Sequence, residues 1–237
     1  MQTFLKVNQT LPTVTGSENS QMECRGGKYG ELAVVPYGHG IISCADEGQY
    51  FKCTSQTPGT AVTYVTDAAY AATSASICIY NGSTTKRVYI DYIRILCTTA
   101  PGSATAARWA IAIDGVNRVA SGGSTLTPVN VNMASSTTSG VTFTYGAPTL
   151  AAASAARILG TGVLRGAIPV VNDEYILSFG TQDNGSIIVS GTSTIRSLTN
   201  VGPVIIGPGN SMLLHQWFTG NTGVAFQFEV ECGFYER

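Results

Sequence analysis

Charged side chains are scarce. Asp, Glu, Lys and Arg supply 11% of the 237 residues, where an ordinary soluble domain carries roughly 25%. Thirteen Lys plus Arg against fourteen Asp plus Glu leave a formal charge of −1, so there is no basic field to neutralise nucleic acid phosphates and no acidic run to mimic them. Nucleic acid is therefore not an expected partner. Long apolar runs are also missing. The stretch from Val88 to Cys97 is interrupted by Asp91 and Arg94 and is well short of the ~20 residues of a spanning helix. The opening MQTFLKVNQTLPTV has a lone Lys6 and no apolar block of about 7–15 residues. The expectation is a chain that folds in a cytoplasm, with neither secretory leader nor membrane partner.

Chemistry-bearing motifs are few. Six cysteines (Cys24, Cys44, Cys53, Cys78, Cys97, Cys232) are irregularly spaced without a C-x-x-C, and Cys78, Cys97 and Cys232 lie in apolar runs where Cys acts as a small core hydrophobe. They read as free thiols rather than disulfides or zinc ligands. Only two histidines occur, His39 between glycines and His215 before Gln216-Trp217, too few for a cupin-type metal centre unless Asp46-Glu47 join His39. The plainer readings are a loop histidine and a sheet histidine at an interface. The nucleophile elbow G-x-S-x-G, the P-loop and a strand-borne G-x-G-x-x-G are absent. Gly122-Gly123-Ser124-Thr125 reads as a turn and Gly207-Pro208-Gly209 as a strand connector. Asp173-Glu174 with Asp46 or Asp91 would make an unspecific acid pair, and Asp173 is more simply a turn residue before a strand. Asp183-Asn184 suits a hairpin turn better than calcium. No catalytic residue, metal or cofactor is assigned.

What is present is a period of two. Val224, Phe226, Phe228, Val230, Cys232 and Phe234 alternate with mostly polar neighbours, the pattern of a half-buried antiparallel strand. Trp109, Ile111 and Ile113 followed by Asp114-Gly115 and Val116 to Val119 predict a hairpin. Asn184-Gly185 predicts a second, between Tyr175–Phe179 and Ile187–Val189, and Asn81-Gly82 a further turn before Lys86–Thr98. That last run is apolar on both parities, with Val88, Ile90, Tyr92 and Leu96 on one and Tyr89, Ile93, Ile95 and Cys97 on the other. It predicts a strand covered on both faces, the second by an arm, a loop or another subunit. Helical pattern is confined to possible single turns at Thr66–Thr73 and Leu150–Ala156. About ten strands with Ser/Thr/Gly loops and no alternating helices indicate an all-β fold, an antiparallel β-sandwich or jelly roll over residues 31–237. Residues 1–30, rich in Gly and polar side chains but dotted with Phe4, Leu5, Val7, Leu11 and Val14, read as an extended N-terminal arm that orders against a neighbouring subunit.

The aromatics Tyr29, Tyr37, Tyr50, Phe51, Tyr64, Tyr70 and Tyr80 suit either a sugar-stacking platform or a protein interface, and with so few charges the interface is the simpler reading. Five segments carry a resemblance: Glu31 to Gly40 (ELAVVPYGHG), Lys86 to Ile93 (KRVYIDYI), Gly122 to Asn132 (GGSTLTPVNVN), Ile205 to Leu214 (IIGPGNSMLL) and Cys232 to Arg237 (CGFYER). They resemble β-rich structural proteins of tailed bacteriophages. The resemblance implies a jelly-roll virion component assembled in the host cytoplasm. It would be a capsid decoration or cement protein, or a minor capsid protein, commonly a homotrimer, with its own copies and the major capsid protein as partners. On these readings Phe4, Leu5, Leu11, Tyr89, Ile93, Ile95 and Trp217 are the expected interface residues. The competing expectation is a carbohydrate- or receptor-binding module of a fibre or tail.

Overall fold

The computed structural model describes residues 40–55, 57–61, 63–180, 187–190, 194–222 and 224–237. Contacts divide the chain into Met1–Ser43 and Cys44–Arg237. The described part of the first unit opens helix α1 (Gly40–Asp46). The expected arm at 1–30 lies outside the described residues, as do Cys24, Tyr29, Tyr37, His39, Asp183 and Asn184.

The second unit is almost wholly β. Its strands are β1 (Tyr50–Thr54), β2 (Thr63–Val65), β3 (Ile77–Asn81), β4 (Val88–Thr99), β5 (Ala106–Asp114), β6 (Val119–Ser121), β7 (Ser124–Leu126), β8 (Val129–Asn130), β9 (Val141–Tyr145), β10 (Thr149–Leu150), β11 (Arg157–Arg165), β12 (Glu174–Ser178), β13 (Ile187–Ser190), β14 (Ile195–Asn200), β15 (Ile205–Ile206), β16 (Ser211–Thr219) and β17 (Phe226–Glu236). They form a β-sandwich. One sheet runs β13-β14-β12-β4-β17-β1-β8, with β15 on β4 and β2 on β17, and the facing sheet runs β11-β5-β16-β3-β9-β7. A small β10–β6 ribbon stands apart. All pairs are antiparallel except β12 with β14. The long strands pair in a nested order, β1 with β17, β3 with β16, β4 with β12 and β5 with β11, with the pairs alternating between the sheets.

The core lies between the sheets. Phe226, Phe228, Val230, Cys232 and Phe234 of β17 are buried there with Ile77, Ile79, Ile111, Phe143, Met212, Leu214 and Phe218 from the facing sheet. Each such side chain is worth about 1.5–3 kcal/mol relative to exposure, so the alternation along β17 fixes which face turns inward.

The double-faced pattern of β4 has a different cause from the one expected. Ile90 is opposite Phe234 and Tyr92 opposite Gly233, so Asp91 is an extra residue in the β4–β17 ladder. Such a bulge reverses the parity of everything beyond it. Val88 and Ile90 before the bulge, and Ile93, Ile95 and Cys97 after it, consequently all face the same core. The pattern is satisfied within the chain and requires no outside partner.

Four local expectations are corrected and one turn stands. Asp114-Gly115 is not a hairpin: β5 pairs with β11 and β16, and β6 pairs with β10. The Asp114 carboxylate accepts N–H bonds from Gly115 at 2.7 Å, Ser154 at 3.1 Å and Ala155 at 2.9 Å, and pairs with Arg118 Nη1 at 2.9 Å. These contacts draw the chain off the sheet into the ribbon. The strands flanking Asn184-Gly185 do not pair with each other either, because β14 lies between β12 and β13. The Asn81-Gly82 turn exists, but it carries the chain from β3 in one sheet to β4 in the other. Buried Asn81 shapes it, accepting from Ser83 N–H at 3.0 Å and donating to the carbonyls of Lys86 and Ile206 at 2.9 and 3.0 Å. Neither Thr66–Thr73 nor Leu150–Ala156 is helical, whereas Gly40–Asp46, unanticipated, is.

Candidate interaction surface

The outer face of the larger sheet carries a ladder of alternating charge. Lys52 on β1 meets Glu231 on β17 at 2.9 Å, Glu231 meets Arg94 on β4 at 3.6 Å, Arg94 meets Glu174 on β12 at 2.7 Å, and Glu174 meets Arg196 on β14 at 3.4 Å. Tyr92 donates to Glu231, and Tyr50 donates to Asp91 Oδ2 at 2.7 Å. Burial would raise the Glu231 carboxyl, but Tyr92 and Lys52 hold it below its ordinary value. Half-exposed pairs of this kind contribute at most about 1 kcal/mol each, so the row fixes strand order more than stability. Glu174 and Asp91 are thereby spoken for as partners within the sheet. Asp173, fully buried, is a structural hub: it accepts from Val170 N–H at 2.9 Å, Ile195 N–H at 2.8 Å, the Tyr175 hydroxyl at 2.8 Å and the Arg165 guanidinium.

The outer face of the six-stranded sheet carries aromatics. Trp217 is half-buried, and Tyr70 stands edge-on to it at 5.7 Å and to His215 at 5.2 Å. His215 donates from Nδ1 to the Ser74 carbonyl at 2.5 Å, while the Ser74 hydroxyl donates to Asp67 Oδ2 at 2.7 Å. Burial holds the His215 imidazole below its usual pKa, against the opposing pull of the Ser74 and Ala71 carbonyls. Histidine, serine and aspartate are thus close together, but each is engaged in holding the 66–74 loop on the sheet. Among the described residues no group of three or more His, Cys, Asp or Glu is arranged to hold a metal ion. A groove of about 180 Å³ opens between Ile113, Asp114, Arg157, Ile205 and Asn210, below the ~300 Å³ of an ordinary small-molecule site.

The expected interface residues separate into three groups. Ile93 and Ile95 are fully buried in the inter-sheet core. Tyr89 stacks face to face on Tyr235 at 4.8 Å and 3°, and Trp217 is half-buried under Tyr70, both on outer faces. Phe4, Leu5 and Leu11 lie outside the described residues. Among the described aromatics, Tyr50 and Phe51 are buried while Tyr70 is on the opposite sheet, so these three do not share a platform.

Two exposed apolar flanks are set by topology rather than by sequence pattern. Strand β11 ends the six-stranded sheet with Ile158, Leu159 and Val163 outward. Val163 aligns with Arg108 of β5, and Arg108 with Trp217 of β16, so edge and aromatics form one row. The signal was present in Arg157-Ile-Leu-Gly-Thr-Gly-Val-Leu-Arg165, where no acidic or amide residue interrupts the strand, but its two glycines mask the apolar pattern. The other flank, at β8, exposes Val129, Val131 and Met133, the last 99% exposed. Searches against protein-family models, curated proteins and solved structures found no match to this chain.

Proposed function

We propose that this chain is a self-assembling structural subunit of a virion, a decoration or cement protein (or minor capsid protein) that stabilises the head of a tailed bacteriophage. The observation that carries the reading is the nested strand pairing. Eight strands paired outermost with outermost and wrapped over two sheets support a jelly roll, an architecture used by viral shell proteins. The 11% charge content and the exposed apolar β11 edge support it, because interface cores are depleted in charge and an uncovered edge strand invites pairing. The partners on this reading are other copies, as a homotrimer, and the major capsid protein. No catalysis is assigned, and the place of action is the virion, assembled in the host cytoplasm.

The test is the solution mass of the full chain by light scattering across concentrations, followed by electron microscopy of the chain mixed with undecorated phage heads. A stable trimer or larger species that attaches to heads is expected. A monomer at every concentration that leaves heads bare overturns the reading.

One observation favours a second reading, a carbohydrate- or receptor-binding module of a fibre or tail. The Tyr70–Trp217 corner is an aromatic surface of the kind on which sugars stack, and jelly rolls also serve as lectins. Saturable quenching of Trp217 fluorescence by an oligosaccharide, abolished in Trp217→Phe, would support it. Buried Trp109 serves as the internal control.

A further inference from the structure

We infer that copies of this chain associate head to tail, the β11 flank of one seated on the β8 flank of the next. The inference rests on the self-assembly reading and names its surfaces. The two flanks lie on opposite sides of the sandwich. Arg165 at the end of β11 pairs with Asp173 at the start of β12, placing β11 beside the β12 end of the larger sheet. At the far end of that sheet, β8 adjoins β1 and follows directly from β7, the last strand of the six-stranded sheet.

The flanks match in charge as well as in apolar character. On the β11 side, Arg108 and Arg157 are exposed, and neither meets a carboxylate within ion-pair distance among the described residues. They bracket Ile158, Leu159 and Val163. On the β8 side, exposed Asp46 and Glu47 likewise meet no cation among the described residues. Asn132 Nδ2 donates to the Asp46 carbonyl and Asn130 Nδ2 to the Gly48 carbonyl, each at 2.8 Å. These bonds hold the two acids beside Val129, Val131 and Met133. In a chain this poor in charge, Arg108 and Arg157 border one apolar flank, and Asp46 and Glu47 border the other.

The charges decide the symmetry. A two-fold contact of the β11 flank with itself would bring arginine to arginine, and one of the β8 flank would bring acid to acid. Joining unlike flanks pairs each sign with its opposite, which is a heterologous contact that closes into a ring or propagates as a chain.

The experiment uses the full chain with two double variants, Arg108→Glu/Arg157→Glu and Asp46→Lys/Glu47→Lys, each checked for an unchanged thermal melt since all four side chains are exposed. Light scattering is expected to show each variant alone weakened in association at least tenfold, and an equimolar mixture regaining mass because the reversed flanks complement one another. A wild type that assembles while both variants assemble equally well overturns the flank assignment and leaves self-assembly standing. Weakened variants whose mixture stays dissociated also overturn it. A wild type that is monomeric throughout overturns the assignment together with the reading beneath it.

Discussion

Gly233 and Tyr92 face each other across the β4–β17 ladder, and the tyrosine ring occupies the place where a β-carbon on Gly233 would stand, 2.5 Å from its Cε1. The Tyr50 hydroxyl crowds the same point. Gly233→Ala therefore has to displace two aromatic side chains that anchor Asp91 and Glu231. The expected loss is about 1–3 kcal/mol, the usual cost of overpacking, read as a lower denaturant midpoint with an unchanged slope.

Asp173 holds the ends of three strands through four donors. Asp173→Asn keeps the shape but removes the charge facing Arg165 and turns one acceptor into a donor. Breaking a buried pair of this kind costs about 3–5 kcal/mol. Urea unfolding is expected to show a loss of that size, and a loss below about 1 kcal/mol would contradict the role of hub.

His215 gives stability a pH dependence of defined sign. Its folded pKa lies below the ordinary 6.5 because burial disfavours the imidazolium. The unfolded chain therefore takes up a proton that the folded chain resists, and stability present in full above about pH 6.5 declines as the pH falls below it. His215→Gln is expected to lessen that decline between pH 7 and 5 in thermal melts, while losing about 1 kcal/mol at pH 8 with the Ser74 bond.

The described thiols, Cys44, Cys53, Cys78, Cys97 and Cys232, are free and buried. Burial pushes Cys53 and Cys97 up to about 12 and Cys78 to about 11, and raises Cys232 as well. Since the thiolate is the reactive form, a Cys24→Ser chain at pH 8 is expected to leave a thiol-reactive dye unconsumed until it unfolds. Rapid labelling of any one site in the native protein would contradict this.

The parts of the fold legible in the sequence are those decided locally. The alternation along β17 is readable because one inter-sheet core selects a single parity over its whole length. The two apolar parities of β4 are equally visible, but the residue that switches them, Asp91, is an extra one only relative to a partner strand more than a hundred positions away. The Asp114-Gly115 dipeptide has the chemistry of a tight turn, yet the N–H groups of Ser154 and Ala155 redirect it from forty residues downstream. Within the candidate surface, Trp217 was identifiable as an aromatic beside a histidine. The β11 edge was not, since whether a strand is central or terminal in its sheet depends on topology rather than on its own residues.

Nested pairing also bears on how the sandwich forms during synthesis. Strand β17 lies between β4 and β1 and hydrogen-bonds both, yet it is translated after each of them. Until it leaves the ribosome, the larger sheet has a one-strand gap, and the inward faces of Ile93, Ile95 and Cys53 lack the Phe228–Phe234 surface that covers them. The larger sheet is thus completed only once β17 has been made, and a nascent chain halted before Phe226 would present an open apolar cleft to chaperones.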